Sequence, residues 1–166
     1  MKFGIKPFEG HRTILTGAGG LVGSKVKADF RIDGKDQLDL RDFQATIDYF
    51  TEHEADTVIH CAAKVGGVMA NMSYMGEFFY DSMAMNLNVL EAARRSGVRK
   101  VVSFLSTCIY PDNVKYPLVE NDLHMGEPHE SNFGYAYAKR MLEVQSRAYR
   151  KQYGVNYVCV VPTNIY

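Results

Sequence analysis

The sequence predicts an α/β fold, a doubly wound parallel sheet with helices on both faces. Three observations lead there. Short strand-like runs alternate with longer stretches of helical periodicity, as in parallel strands joined by crossover helices. Two of those runs, residues 57–61 (TVIHC) and 101–105 (VVSFL), are largely apolar along their length, as strands covered on both sides are. The glycine-rich turn Thr16-Gly17-Ala18-Gly19-Gly20-Leu21-Val22-Gly23-Ser24 directly follows the first run.

The elements follow in order. Thr13-Ile14-Leu15-Thr16 reads as the first strand. Residues 21–27 read as a short helix and residues 29–32 as a brief second strand. The stretch from Gly23 to the acidic patch at Asp33 and Asp36 is short for a full helix, turn and strand, so either this crossover is compressed or the second strand is vestigial. Residues 41–51 place Phe43, Ile47 and Phe50 at helical spacing. Residues 57–61 form the third strand, and a loop with Val65-Gly66-Gly67-Val68 follows. A long helix spans residues 78–96 and ends at Gly97, a natural helix-terminating position. Residues 101–105 are the fourth strand, and residues 111–130 read as loop. A helix over 135–153 closes at Gly154, and residues 155–161 (VNYVCVV) are the fifth strand.

Composition narrows the function classes. The 19 basic and 19 acidic residues give a formal net charge of zero. That argues against nucleic acid or an anionic membrane held by bulk charge. No apolar run has the length of a membrane span, and the N-terminus lacks the apolar core of a signal peptide. Cys61, Cys108 and Cys159 are widely spaced, with neither a disulfide framework nor a paired metal motif. A cytoplasmic setting and no metal are the expectations.

In a Rossmann-like sheet, ligands sit beyond the C-terminal ends of the strands. Glycines at 17, 20 and 23 allow a sharp exit from the first strand, approach of backbone to a pyrophosphate, and close helix packing. The amides at the helix start would then face the anion. The same glycines also suit an ordinary turn. At the end of the fourth strand stands Ser106-Thr107-Cys108-Ile109-Tyr110-Pro111. Tyr135 and Lys139 lie four residues apart, on one helix face. A free phenol, with pKa of about 10, holds its proton too tightly at neutral pH, and a nearby ammonium lowers that value. Tyr135 beside Lys139 is therefore a sensible acid/base for a carbonyl undergoing reduction. Blander readings compete: Cys61 and Cys159 as core residues, Cys108 as a buried small residue, His60 as a satisfied core histidine, and Lys64 as a solvated loop lysine. His124 and His129 have no partner that the sequence names. The methionines from Met69 to Met85 read as packing.

The stretches His60-Cys61-Ala62-Ala63-Lys64-Val65-Gly66-Gly67, Ser106 to Pro111, Asn132 to Met141 and Val161-Pro162-Thr163-Asn164-Ile165-Tyr166 carry a resemblance. With the glycine turn, they make the sequence resemble the extended short-chain dehydrogenase/reductase family, and within it the epimerase/reductases of nucleotide sugars. The resemblance implies NADP as cofactor and GDP-4-keto-6-deoxy-D-mannose as substrate, with 3,5-epimerisation and 4-reduction. It implies Tyr135 as proton donor/acceptor and Lys139 as modulator of its pKa and ligand of the nicotinamide ribose. Ser106 would hydrogen-bond the keto oxygen, and Cys108 would be the base of epimerisation. Gly17, Ala18, Gly19, Gly20, Leu21, Val22 and Gly23 would hold the pyrophosphate. Leu105, Pro162, Thr163, Asn164 and Ile165 would also contact the cofactor. Lys35, with Asp36, would lie by a 2′-phosphate, while Asp33 could equally hold a 2′-hydroxyl.

The resemblance further implies a homodimer through the helices near 83–93 and 135–149. Members of the family are much longer, so the expectation is an NAD(P)-binding Rossmann domain over 1–166, truncated before the substrate-binding part. That missing part would also supply the histidine acid of epimerisation. A non-catalytic dinucleotide-binding or regulatory module, or another nucleotide-sugar epimerase or reductase, remain alternatives.

Overall fold

The computed structural model describes residues 12–163 and 165, with the Val68 side chain excepted. Its five strands are β1 (Thr13–Thr16), β2 (Phe30–Ile32), β3 (Thr57–His60), β4 (Lys100–Phe104) and β5 (Asn156–Val160). All pair in parallel in the order β2-β1-β3-β4-β5. The helices are α1 (Phe43–Glu52), α2 (Val68–Ser73), α3 (Met75–Arg95) and α4 (Phe133–Tyr153). The order reverses between β1 and β3, which makes the sheet the doubly wound Rossmann-like one expected.

The two sheet faces are covered unequally. Right-handed crossovers from β2 to β3, β3 to β4 and β4 to β5 put α1, α3 and α4 on one face. There α1 packs on α3 and α3 on α4. Register aligns Ile14, Val58, Val101 and Tyr157 into one row toward these helices. That row joins Phe50, Val89, Leu90 and Leu142 in the core. The adjacent row Leu15, Ile59, Val102 and Val158 points to the other face. Leu15 is buried there, whereas Ile59, Val102 and Val158 are only half-buried.

That second face carries the compressed first crossover. The expected helix over 21–27 is only a 3-10 turn, Gly23–Lys25. Too few residues separate Gly23 from Phe30 to complete a helix and still return to the sheet. Arg31 of β2 offsets the missing helical hydrogen bonds. Its guanidinium donates to the carbonyls of Val26 (2.6 Å), Ala18 (3.0 Å) and Gly23 (3.1 Å).

Elsewhere the boundaries follow local chemistry. Asp42 caps α1, its Oδ1 accepting from the Ala45 amide at 3.0 Å. Helix α3 begins at Met75, earlier than residue 78, and α2 precedes it, directly after the glycines of the expected loop, in a stretch with no assigned element. Gly154 closes α4 in the left-handed conformation. Glu91 of α3 accepts from Arg94, Arg95 and the Tyr149 hydroxyl of α4. Those donors, Arg94 first, hold its carboxyl down at about 2. The stretch 111–130 is not wholly irregular. It contains a 3-10 segment, Glu120–His124, and an antiparallel bridge between Pro111 and Pro128.

Candidate active site

The C-terminal strand ends surround a cavity of about 510 Å³, within the range of small-molecule and cofactor sites. Its floor is the turn after β1, at the point where strand order reverses. Gly17, Gly20, Leu21, Val22 and Gly23 line it, as do Lys35, Leu105, Tyr135, Lys139 and Pro162. Residues from distant parts of the sequence thus converge because parallel strands end at the same edge.

The turn requires glycine at its two ends. Gly17 has φ +70°, and a Cβ there would lie 2.6 Å from the Ala62 amide nitrogen. A Cβ on Gly23 would strike the Gly17 carbonyl and sit 2.8 Å from Ala18 Cα. These glycines pack the turn against the end of β3 and against itself, and its backbone lines the cavity where a dinucleotide pyrophosphate would sit. The expected helix N-terminus does not contribute, because the 3-10 turn is too short to carry a macrodipole. Ala18 is buried and its amide donates to Ile32 O at 3.0 Å, so it stabilises the turn from inside. Gly19, Asp36, Thr163 and Ile165 do not line the cavity, and Asn164 lies outside the described residues.

Tyr135 and Lys139 share the inner face of α4. Lys139 is 1 % exposed, and its Nζ donates to Phe104 O at 2.7 Å. Burial pushes its ammonium down to about 8, against the pull of Cys61, Cys108 and Cys159. Nζ lies 6.0 Å from the Tyr135 ring centroid. The expectation that Lys139 lowers the Tyr135 pKa is not met. Burial raises the phenol, and Cys108 adds to the rise. The Phe104 carbonyl takes one of the three ammonium donors, and burial keeps Tyr135 a protonated donor.

Ser106 and Cys108 stand beside this pair, just outside the cavity lining. Cys108 Sγ donates to Ser106 Oγ at 3.3 Å. Burial raises the Cys108 thiol, while the Ser106 bond and the Lys139 charge favour its thiolate.

Beneath the cavity a polar chain ties β1, β3, α3 and α4 together. Thr16 Oγ1 lies 2.7 Å from His60 Nδ1, and His60 Nε2 lies 3.0 Å from Asn86 Oδ1. Asn86 Nδ2 donates to Ala138 O at 3.1 Å. His60 is thus the satisfied core histidine anticipated, outside the cavity lining. Among the described residues, His53, His124 and His129 also have partners. His124 Nε2 lies 3.0 Å from Glu143 Oε2, and His129 Nδ1 lies 2.8 Å from Ser131 Oγ.

Several lining residues escaped the sequence reading. Cys61, expected in the core, lines the cavity half-buried. Lys64 is no free loop lysine. Its Nζ lies 3.4 Å from Glu77 Oε1 and 3.8 Å from Asp81 Oδ2. Arg41 pairs with Asp81 at 2.9 Å and Asp39 at 2.7 Å. Lys35, by contrast, makes no ion pair or hydrogen bond among the described residues, and it faces the cavity alongside Asp33. The available signal was position: Cys61, Ala62, Ala63 and Lys64 directly follow β3, where a parallel sheet places its ligands.

Comparison with known proteins agrees with this geometry. GDP-L-fucose synthase of Dictyostelium discoideum is 44% identical over 166 residues, covering 93% of this chain and 52% of that protein. GDP-L-fucose synthase of Escherichia coli (strain K12) is 36% identical over 163 residues, with 93% and 51% covered. The chain therefore spans about half the length of the curated relatives it matches. A GDP-L-fucose synthetase from Naegleria fowleri bound to NADP superposes with a TM-score of 0.84 at 37% identity, covering 98% of this chain and 53% of that one. Residues 13–166 match the model of the NAD dependent epimerase/dehydratase family, so the chain belongs to that family.

Proposed function

We propose that this protein acts as its fucose-synthase relatives are named, in the NADPH-dependent epimerisation and reduction of GDP-4-keto-6-deoxy-D-mannose to GDP-L-fucose. The observation that carries this is the convergence of Tyr135 and Lys139 with the Gly17–Gly23 turn on one cavity. Residues 1–166 serve as the NAD(P)-binding Rossmann domain, and the sugar-binding part comes from outside these residues. The turn at 17–23 cradles the pyrophosphate. Leu105 and Pro162, which line the cavity, contact the nicotinamide half. Lys35, with no internal partner among the described residues, meets the 2′-phosphate near Asp36. Lys139 donates to the nicotinamide ribose.

Bound NADPH supplies the hydride for the C4 ketone. Tyr135, held protonated, gives its proton to the ketone oxygen, with Ser106 as a second donor to that atom. In epimerisation, Cys108 as thiolate removes the proton α to the ketone, and the enolate oxygen rests on the same two donors. An acid from outside these residues returns the proton to the opposite face.

The protein is further proposed to be a cytoplasmic homodimer. Support comes from three free cysteines and from apolar side chains exposed on α3 (Phe79, Tyr80, Leu87) and α4 (Phe133, Tyr153). No described helix is long and apolar enough to cross a membrane.

Thermal unfolding with NADPH and NADH tests the cofactor assignment. Saturation at a hundredfold excess over Kd adds about 2.7 kcal/mol of stability. NADPH is expected to raise the melting temperature more than NADH, and Lys35→Ala to erase the difference. Equal or absent shifts overturn the assignment. NADPH oxidation with GDP-4-keto-6-deoxy-D-mannose tests the reaction, which is expected to be lost in Tyr135→Phe.

A further inference from the structure

We infer that Arg140 is a positioning residue for the Ser106–Cys108 pair, which it fixes by gripping the far end of the segment that presents them. The inference rests on the roles proposed above for those two side chains. Adjacent residues of α4 hold the two ends of this segment. Lys139 Nζ donates to the Phe104 carbonyl at 2.7 Å, and Arg140 Nε donates to the Ile109 carbonyl at 2.6 Å. Between those carbonyls lie Leu105, Ser106, Thr107 and Cys108. The Ile109 amide in turn donates to Ser106 O at 3.2 Å, so moving Ile109 moves Ser106.

Arg140 also reaches further along the connection between β4 and α4. Its Nη1 donates to Gly126 O at 2.7 Å. Close by, the Asp112 amide donates to Glu127 O at 3.0 Å, and Pro111 bridges Pro128. The connection is thus folded back on itself, and Arg140 pins both of its limbs to α4.

The setting is costly for a cation. Arg140 is 3 % exposed and has no carboxylate partner among the described residues. Its Nη2 makes no hydrogen bond, and its nearest π partner is Tyr137, whose ring centroid lies 5.2 Å from the guanidinium carbon. A buried charge without a counter-ion is destabilising, and an apolar side chain would fill the space at lower cost. What an apolar side chain lacks is a planar fork that donates to two carbonyls at once. That geometry is the property on which Ser106 and Cys108 depend.

The test reads each cysteine separately. Iodoacetamide alkylation followed by mass spectrometry gives rates for Cys61, Cys108 and Cys159 across pH in wild type and Arg140→Met. Releasing Ile109 is expected to expose Cys108, speed its alkylation about tenfold and shift its pH profile downward. Cys61 and Cys159 are expected to hold their wild-type rates. An unchanged Cys108 profile overturns the inference, and so does a parallel change at all three cysteines, which would mark general loosening. Should Arg140→Met fail to fold, Arg140→Lys keeps the charge, loses the second donor and should show the same selective change at smaller amplitude. Thiol rates need no nucleotide, so failure to bind NADPH would count against the proposed function and leave this measurement intact.

Discussion

Thr16 and His60 meet side by side at the C-terminal ends of β1 and β3, with Thr16 Oγ1 2.7 Å from His60 Nδ1. The surrounding bonds set the direction of each proton. Asn86 Nδ2 is committed to Ala138 O, so its Oδ1 must accept from His60 Nε2–H. His60 Nδ1 is then the acceptor and the Thr16 hydroxyl the donor. Thr16 Oγ1 in turn accepts from the Ala62 amide at 3.3 Å. The neutral, Nε2-protonated histidine is the form that satisfies every partner.

This network makes the protein acid-sensitive. Burial, with the Lys139 charge adding, pushes His60 down to about 3. The unfolded histidine titrates at about 6.5, so only the unfolded state gains a proton between these values. Stability contributed by neutral His60 is complete above pH 6.5 and is lost as pH falls toward 3. Urea unfolding is expected to show a loss of about 2 kcal/mol from this group between pH 7 and pH 5. His60→Gln should flatten that part of the slope.

Gly17→Ala and Gly23→Ala are expected to damage the cavity through the backbone. Each new Cβ would meet main-chain atoms, of Ala62 and of Gly17 and Ala18 respectively, which cannot swing aside. Destabilisation of about 1–3 kcal/mol is expected, with loss of the NADPH thermal shift. A variant that kept both wild-type stability and the full shift would contradict the cradle.

Lys139 should make nucleotide binding pH-dependent. Its ammonium, pushed down to about 8, is charged at pH 7 and largely neutral at pH 9. NADPH affinity measured by fluorescence titration is expected to fall as pH rises through this range, about tenfold for one lost charge-assisted hydrogen bond. Lys139→Met should bind weakly at both pH values, without the step.

Asp42→Ala removes the cap of α1, where Oδ1 accepts from the Ala45 amide. A loss of about 1 kcal/mol is expected in chemical denaturation. Asp42→Asn should retain most of it, and an equal loss in both variants would assign the effect to charge instead of the cap.

Strand and helix order were legible in the sequence because each long element has one buried side. Phe43, Ile47 and Phe50 mark α1 by spacing alone, and the runs at 57–61 and 101–105 mark β3 and β4 by continuous apolarity. The chain also determined, by its local residues, the glycine turn after β1 and the Tyr135–Lys139 spacing on α4. The short interval after Gly23 implied a compressed crossover or a vestigial second strand, and the fold has the former. Tertiary structure alone decided the rest, because those facts depend on which distant groups meet. Arg31 completes the 3-10 turn from the next strand. Lys139 donates a hydrogen bond to the Phe104 carbonyl, and burial holds Tyr135 protonated. Cys61 turns from core to cavity, and Lys64 and Arg41 are drawn onto Asp81 of α3. Local pattern reports how a segment folds; the partner of a buried charge is set by packing, where desolvation makes each such contact decisive.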